Sequence, residues 1–121
     1  MIIVDTGIWI DQLRQPEHRL DELLLELRAM LHPYVLGELV LGSLPERESY
    51  LRSMKRLPRP RVARQHEVLR LIEAQDLYAT GIGFVDAHLL ASARLMPGAQ
   101  VWSRDRRLQA NAQRLGLAFQ P

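Results

Sequence analysis

Two short apolar runs that lead into an acid constrain the fold of this chain more than any other feature. Ile2, Ile3 and Val4 are followed at once by Asp5, and the run AQVWS (99–103) is followed closely by Asp105. We predict short buried strands over residues 2–5 and 99–103. A carboxylate at the end of a buried strand either caps the helix that follows or lies near a positive charge.

The remaining segments have mostly helical periodicity. In residues 19–31, leucines recur at helical spacing with acids and arginines opposite them, which predicts one amphipathic helix over the whole stretch. Gly81 is the predicted C-terminal stop of a later helix. The other predicted helices cover residues 6–15, 34–44, 46–57, 65–81, 84–95 and 104–116. Short strands are predicted around Val62, in a loop with two prolines, and in LAFQ near the C-terminus.

Short apolar strands that alternate with helices predict an α/β fold, with a parallel sheet covered on both faces. In such sheets the ligand site lies beyond the carboxyl ends of the strands. Both clear strands lead into an acid at that edge, so we expect a functional site there. The sequence contains no repeat, low-complexity segment or domain boundary, and we expect a single domain over residues 1–121.

The composition excludes several classes of protein and site. With 121 residues and 47% hydrophobic content, the chain is long enough for one core. It has no apolar run of membrane-spanning length and no signal-peptide pattern at its start, so we expect a cytoplasmic protein. The lack of cysteine excludes disulfides, thiolate metal sites and cysteine nucleophiles.

The basic residues are almost all arginines. Only Lys55 among the 16 basic residues is a lysine. Because the planar guanidinium group pairs well with phosphate, an arginine-rich surface is compatible with a nucleic-acid partner. A GC-rich genome that favours arginine codons explains the same bias.

Four of the 14 acids stand in apolar surroundings: Asp5, Glu38, Asp86 and Asp105. Each has an ordinary explanation. The three aspartates suit helix N-termini, where unpaired amides favour a carboxylate. Glu38 is explained by an outward orientation or by pairing with an arginine such as Arg28 or Arg64.

Taken together, these acids point to a metal site. Like charges a few ångströms apart repel by roughly 4 kcal/mol per pair at an effective dielectric constant near 20, so a fold that gathers them needs a cation. Oxygen ligands without cysteine favour Mg²⁺ or Mn²⁺, ions that activate water and neutralise a phosphodiester. No two histidines have the i, i+4 spacing of a zinc helix, which argues against a zinc hydrolase.

The motifs that carry these acids resemble a PIN domain, and more narrowly a VapC-type toxin of a type II toxin–antitoxin pair. They occur in order along the whole chain as MIIVDTGIWID, VLGELVLG, GIGFVDAHLLASA and VWSRDRRL. The resemblance implies a three-layer α/β/α sandwich with a central parallel sheet and ribonuclease activity that depends on Mg²⁺ or Mn²⁺. It also implies a homodimer that assembles with a VapB-type antitoxin into a larger, inhibited complex, with no membrane partner.

The resemblance also implies roles for individual residues. The four family acids match Asp5, Glu38, Asp86 and Asp105, with metal contact expected from the three aspartates. Glu38 is expected to bind a second ion or to orient the attacking water. Thr6 and Ser103 match supporting hydroxyl residues, whereas Gly7 stands where the family commonly has serine. The nearby arginines either hold RNA phosphates or form a solvated helix face; they are Arg104, Arg106 and Arg107.

Other classes of protein fit less well. A phosphoacceptor receiver domain has this length and clustered acids, but it needs a lysine at a late strand end, and Lys55 lies mid-chain. A catalytically silent PIN-like binding module is expected to have lost one or more acids, and here all four positions are filled.

The leucines suggest a partner surface. Apolar residues repeat in two segments and form either ordinary core or a groove for an antitoxin helix. They are Leu20, Leu23, Leu24, Leu27, Leu31, Val35, Leu39 and Val40.

Overall fold

A computed structural model describes all 121 residues and contains a three-stranded parallel sheet of order β2-β1-β3. The strands are β1 (Ile2–Val4), β2 (Ala29–Met30) and β3 (Gln100–Trp102). The helices are α1 (Thr6–Arg14), α2 (His18–Leu25), α3 (Pro33–Leu41), α4 (Arg47–Met54), α5 (Gln65–Ala74), α6 (Phe84–Leu95) and α7 (Arg106–Arg114). None of these helices is long and apolar enough to cross a membrane.

The central strand shows that both faces of the sheet are covered. Ile2, Ile3 and Val4 are each at most 1% exposed. Because successive side chains of a strand point to opposite faces, burial of all three requires packing on both sides. The predicted α/β fold with a central parallel sheet is therefore confirmed.

The predicted helix over residues 19–31 is wrong in its second half. Helix α2 ends at Leu25, and Leu27 has a left-handed backbone with φ of 56°. The chain then turns back, with the Arg28 N–H donating to the Leu23 carbonyl, and Ala29–Met30 pair with Ile2 and Ile3 as β2. In Ala29–Met30, hydrogen bonds to the central strand take the place of the intrahelical hydrogen bonds that the leucine spacing alone would have favoured.

The structure also shows where the apolar set predicted to form either core or an antitoxin groove lies. Most members of that set are core residues with at most 1% exposure: Leu20, Leu23, Leu31, Val35 and Leu39. Leu24 packs against the core, whereas Leu27, in the turn after α2, is 68% exposed. The two segments therefore supply mainly core, and a groove for an antitoxin helix stays a prediction for the accessible members, Leu24, Leu27 and Val40.

Three smaller predictions also differ from the structure. Helix α5 ends at Ala74, well before Gly81, because Asp76 takes a left-handed backbone and Leu77 turns into the core. No strand forms around Val62, next to prolines that have no N–H to donate to a ladder. The C-terminal LAFQ segment contributes one isolated parallel bridge, between Val101 and Ala118.

Candidate active site

Asp5 lies where the central strand passes into α1. Its backbone N–H donates to the Trp102 carbonyl at 2.9 Å, which places it beside the end of β3. One carboxylate oxygen, Oδ1, accepts from the Thr6 N–H at 2.8 Å, and the other, Oδ2, accepts from the Ser103 hydroxyl at 2.7 Å. Asp5 is thus the N-cap of α1 and also contacts the neighbouring strand end.

Ser103 connects Asp5 to Asp105. The serine side chain is buried, and its hydroxyl oxygen accepts from the Asp105 N–H at 3.0 Å. Asp105 in turn caps α7, because its Oδ1 accepts from the backbone N–H groups of Arg107 and Leu108, both at 3.0 Å. One hydroxyl therefore fixes the spacing of two of the predicted acids.

Glu38 reaches the same edge from α3. Its Oε1 accepts from the Thr6 hydroxyl at 2.5 Å, which joins α3 to the start of α1. The predicted pairing of Glu38 with Arg28 is not found, since Arg28 pairs with Glu26. No ion pair joins Glu38 to Arg64 either.

Asp86 lies in the first turn of α6 and accepts from the Gly83 N–H at 3.0 Å. Burial raises the pKa of its carboxyl group, and the negative charges of Asp5, Asp105 and Glu38 raise it further against the lowering effect of the Gly83 bond. Asp86 therefore lies close enough to the other three predicted acids for their charges to raise the pKa of its carboxyl group.

The four carboxylates do not form a ready-made ligand shell. No three histidine, aspartate or glutamate side chains stand close enough together to hold a metal ion as they are. Each of three acids uses one carboxylate oxygen in the hydrogen bonds above and keeps the other free of bonds within the chain: Glu38 Oε2, Asp86 Oδ1 and Asp105 Oδ2. In chemical type, the donor set suits a hard divalent cation.

The three predicted RNA-binding arginines have different surroundings. Arg104 donates to Asp11 at 2.7 Å and to Glu17 at 2.5 Å, so its charge is already balanced by two carboxylates. Arg106 and Arg107 are exposed and take part in none of the ion pairs of the chain. Sequence reasoning missed this difference, because the partners of Arg104 lie 87 and 93 positions away.

Two histidines support the helices that carry the acids. His32 is fully buried and caps α3, because its Nδ1 accepts from the Tyr34 N–H at 3.0 Å. His88 is buried on α6, with ring centroids 4.6 Å from Tyr34 and 4.9 Å from Phe84. No metal role was predicted for either residue, and the structure places both in aromatic packing between α3 and α6.

We expect His32 to make folding stability depend on pH. Burial, with a contribution from His88, lowers the pKa of His32 from 6.5 to about 4. The unfolded chain then binds a proton that the folded chain excludes, so stability is complete above pH 6.5 and is lost as the pH falls towards 4. The loss at pH 4.5 should be about 2 to 3 kcal/mol.

Urea unfolding at pH 7 and pH 4.5 measures this effect. His32→Asn retains a capping side chain and should show a smaller stability difference between the two pH values than the wild type. His66→Asn, at an exposed position in α5, should leave the difference unchanged. Equal pH dependence in His32→Asn and wild type would contradict the assignment.

Comparison with known proteins agrees with this arrangement. The family model described as "PIN domain" matches residues 2–114. Ribonuclease VapC32 from two strains of Mycobacterium tuberculosis, CDC 1551 / Oshkosh and H37Rv, is 44% identical over 119 residues, which cover 98% of this chain and 96% of the relative. The chain therefore belongs to the PIN-domain family, and within it to the VapC type.

Proposed function

We propose that this protein is the toxin of a type II toxin–antitoxin pair, an endoribonuclease that hydrolyses RNA phosphodiester bonds with carboxylate-bound Mg²⁺ or Mn²⁺. The observation that carries the proposal is the placement of the acids at one sheet edge, where Ser103 joins Asp5 to Asp105, Thr6 holds Glu38, and their charges raise the pKa of Asp86. Coupled carboxylates repel one another, and a divalent cation relieves that repulsion. The similarity to the VapC32 ribonucleases supports RNA as the substrate.

We assign metal binding to Asp5, Asp86 and Asp105. A bound Mg²⁺ or Mn²⁺ would supply Lewis acidity towards the phosphodiester and towards water. The three aspartates come from the ends of two strands and from the first turn of α6, so in this proposal the scissile phosphate lies at that edge of the sheet. The free oxygens of Asp86 and Asp105 remain available to the ion.

Glu38 is assigned to the attacking water. Its Oε1 is occupied by the Thr6 hydroxyl, whereas its Oε2 is free to accept a proton or to orient a water molecule. Binding of a second ion is the other role that its position allows. Thr6 and Ser103 do not contact the substrate in this proposal; they hold Glu38 and Asp5 in place.

The VapC type also supports a VapB-type antitoxin as the partner, with a homodimer that joins the antitoxin in a larger complex. The members of the leucine set that remain accessible, Leu24, Leu27 and Val40, are candidates for the antitoxin surface, because the other five are core. This part of the proposal is tested by co-expression with the antitoxin encoded beside the gene and by measurement of the mass of the complex.

Cleavage of a cellular RNA pool by protein freed of antitoxin tests the enzymatic proposal. We expect fragments with Mn²⁺ or Mg²⁺ and intact RNA with EDTA. Asp76→Asn is a matched control, because Asp76 is exposed and takes no part in the hydrogen bonds of the four acids, and asparagine tolerates its left-handed backbone. RNA that stays intact with Mn²⁺, while wild type and Asp5→Asn are equally harmless in cells, would favour a catalytically silent PIN-like binding module.

A further inference from the structure

An apolar pocket lies beside the proposed active site, at the loop that joins α5 to α6. Its volume is about 190 Å³, and seven of its eight lining residues are hydrophobic. Two of them are aromatic and remain exposed, Tyr78 by 57% and Phe84 by 46%. A cavity of about 150 Å³ is enough to admit benzene. The pocket therefore has room for one planar ring.

The pocket is directly connected to the acids. Gly83 lines it, and the N–H of the same glycine donates to Asp86 at 3.0 Å. Phe84, the first residue of α6, lines it as well. A ligand held in the pocket therefore lies next to the turn that positions Asp86.

An unpaired cation lies against the same loop. Gly81 has a φ of +89°, and a Cβ built there would come within 2.6 Å of the Arg107 Cδ and 2.9 Å of its Nε. The absence of a side chain at Gly81 thus lets Arg107 lie across the loop. Unlike Arg104, Arg107 has no carboxylate partner, so its guanidinium group is available to an anion.

We propose that this loop forms a nucleotide subsite, in which the pocket receives one unpaired base of the RNA and Arg107 holds an adjacent phosphate. The inference deepens the proposed ribonuclease function and rests on it. An apolar pocket lined by two exposed aromatic side chains is suited to base stacking, and a neighbouring free guanidinium is suited to the sugar–phosphate chain. An apolar side chain from a protein partner would account for the pocket but would leave the cation without a role.

The subsite predicts a preference for RNA that is not fully paired. A base inside a duplex is stacked and cannot enter the pocket, whereas a base in a loop or single strand can. Binding should therefore be stronger to single-stranded RNA than to a duplex of the same length.

Fluorescence anisotropy with labelled RNA tests both halves of the subsite. The protein is the full chain with Asp5→Asn, so that the probe is not cut, and the probes are mixed-sequence single strands of about twelve nucleotides and the matching duplexes. Phe84→Ala should weaken single-strand binding about tenfold, and Phe84→Trp should restore it. Leu69→Ala, at a similarly exposed position outside the pocket, should bind like the parent protein.

The salt dependence separates the phosphate half from the base half. Arg107→Ala should lower the slope of log affinity against log salt by roughly 0.7, the value for one phosphate of a single strand. Phe84→Ala should lower affinity without changing that slope. Arg106→Ala, one residue away in α7, should change neither. Thermal melting establishes whether each variant is folded. If Phe84→Ala is unfolded, Tyr78→Ala provides a second pocket variant.

Three results would overturn the subsite. The first is that folded pocket variants bind and cleave RNA like their parent proteins; cleavage by wild type would then leave the ribonuclease proposal intact. The second is that Phe84→Ala keeps RNA binding but loses the co-expressed antitoxin, which makes the pocket a protein-docking site. The third is that Arg106→Ala and Arg107→Ala change the salt slope equally. If wild type cleaves no RNA and the Asp5→Asn protein binds none, the proposed function itself fails.

Discussion

Replacement of Asp86 by asparagine is expected to reduce RNA cleavage by roughly a thousandfold or more, because metal ions supply several kcal/mol of transition-state stabilisation in phosphoryl chemistry. Asparagine keeps the shape and can still accept from the Gly83 N–H, so the start of α6 should be preserved. Cleavage rates at saturating Mn²⁺ measure the loss. The Asp76→Asn control should cleave at the wild-type rate.

The same substitution should stabilise the metal-free protein. Because burial and neighbouring charges raise the folded-state pKa of Asp86, its ionised form costs stability at neutral pH, and asparagine removes that cost. Each 1 kcal/mol gained should raise Tm by about 4 °C in a domain of this size. In EDTA, Asp86→Asn should therefore melt above wild type, and Mn²⁺ should raise the Tm of wild type much more than that of the variant.

Asp86 could instead be only a helix-terminal residue. Loss of its charge near the α6 N-terminus would then lower Tm, since an acid there interacts favourably with the helix dipole. A variant that melts below wild type in EDTA, together with a wild-type Tm that Mn²⁺ does not move, would refute both the metal assignment and the nuclease proposal.

Ser103→Ala should have the second-largest effect, with cleavage reduced about 10- to 100-fold, as is typical when a group that orients a metal ligand is removed. The substitution takes the donor from Asp5 Oδ2 and the acceptor from the Asp105 N–H, so two acids lose their shared support. Unsatisfied groups in this part-buried position should also lower stability by about 1–3 kcal/mol.

Two comparisons make the Ser103 test specific. Ser103→Thr is the rescue variant, because it keeps the hydroxyl, and it should recover most of the activity. Ser92→Ala is the control, because it removes another buried serine hydroxyl, one that has no hydrogen-bond partner. Ser92→Ala should leave cleavage unchanged. If Ser103→Ala cleaves like wild type at saturating Mn²⁺, the hydroxyl does not position the acids.

The acids and the elements next to them could be predicted because their signals are local. Helix α6 begins and ends where its apolar sequence predicts, and β1 and β3 lie within the predicted strands. Aspartates at strand ends and in first helical turns were also predicted, since short-range hydrogen bonding governs both. Parallel strands then bring Asp5 and Asp105 to one edge without further information.

The sequence did not reveal the contacts made between distant segments. Strand β2 has only two residues and lies in a stretch whose leucine spacing favours a helix. Hydrogen bonds to β1 override that preference, and no local sequence pattern indicates them. The ion pairs of Arg104 with Asp11 and Glu17 likewise depend on which elements become neighbours. So does the position of Arg107, which lies against Gly81.

The sequence by itself thus determined the α/β class, the four acids and the edge at which they would meet, because periodicity and helix capping act over a few residues. Only the tertiary structure decided that most residues of the leucine set are core, that Arg107 is free of ion pairs whereas Arg104 is not, and that a pocket opens beside Asp86. These features arise from packing between segments far apart in the chain. Such packing can reverse the environment of a side chain without any change in its local sequence pattern.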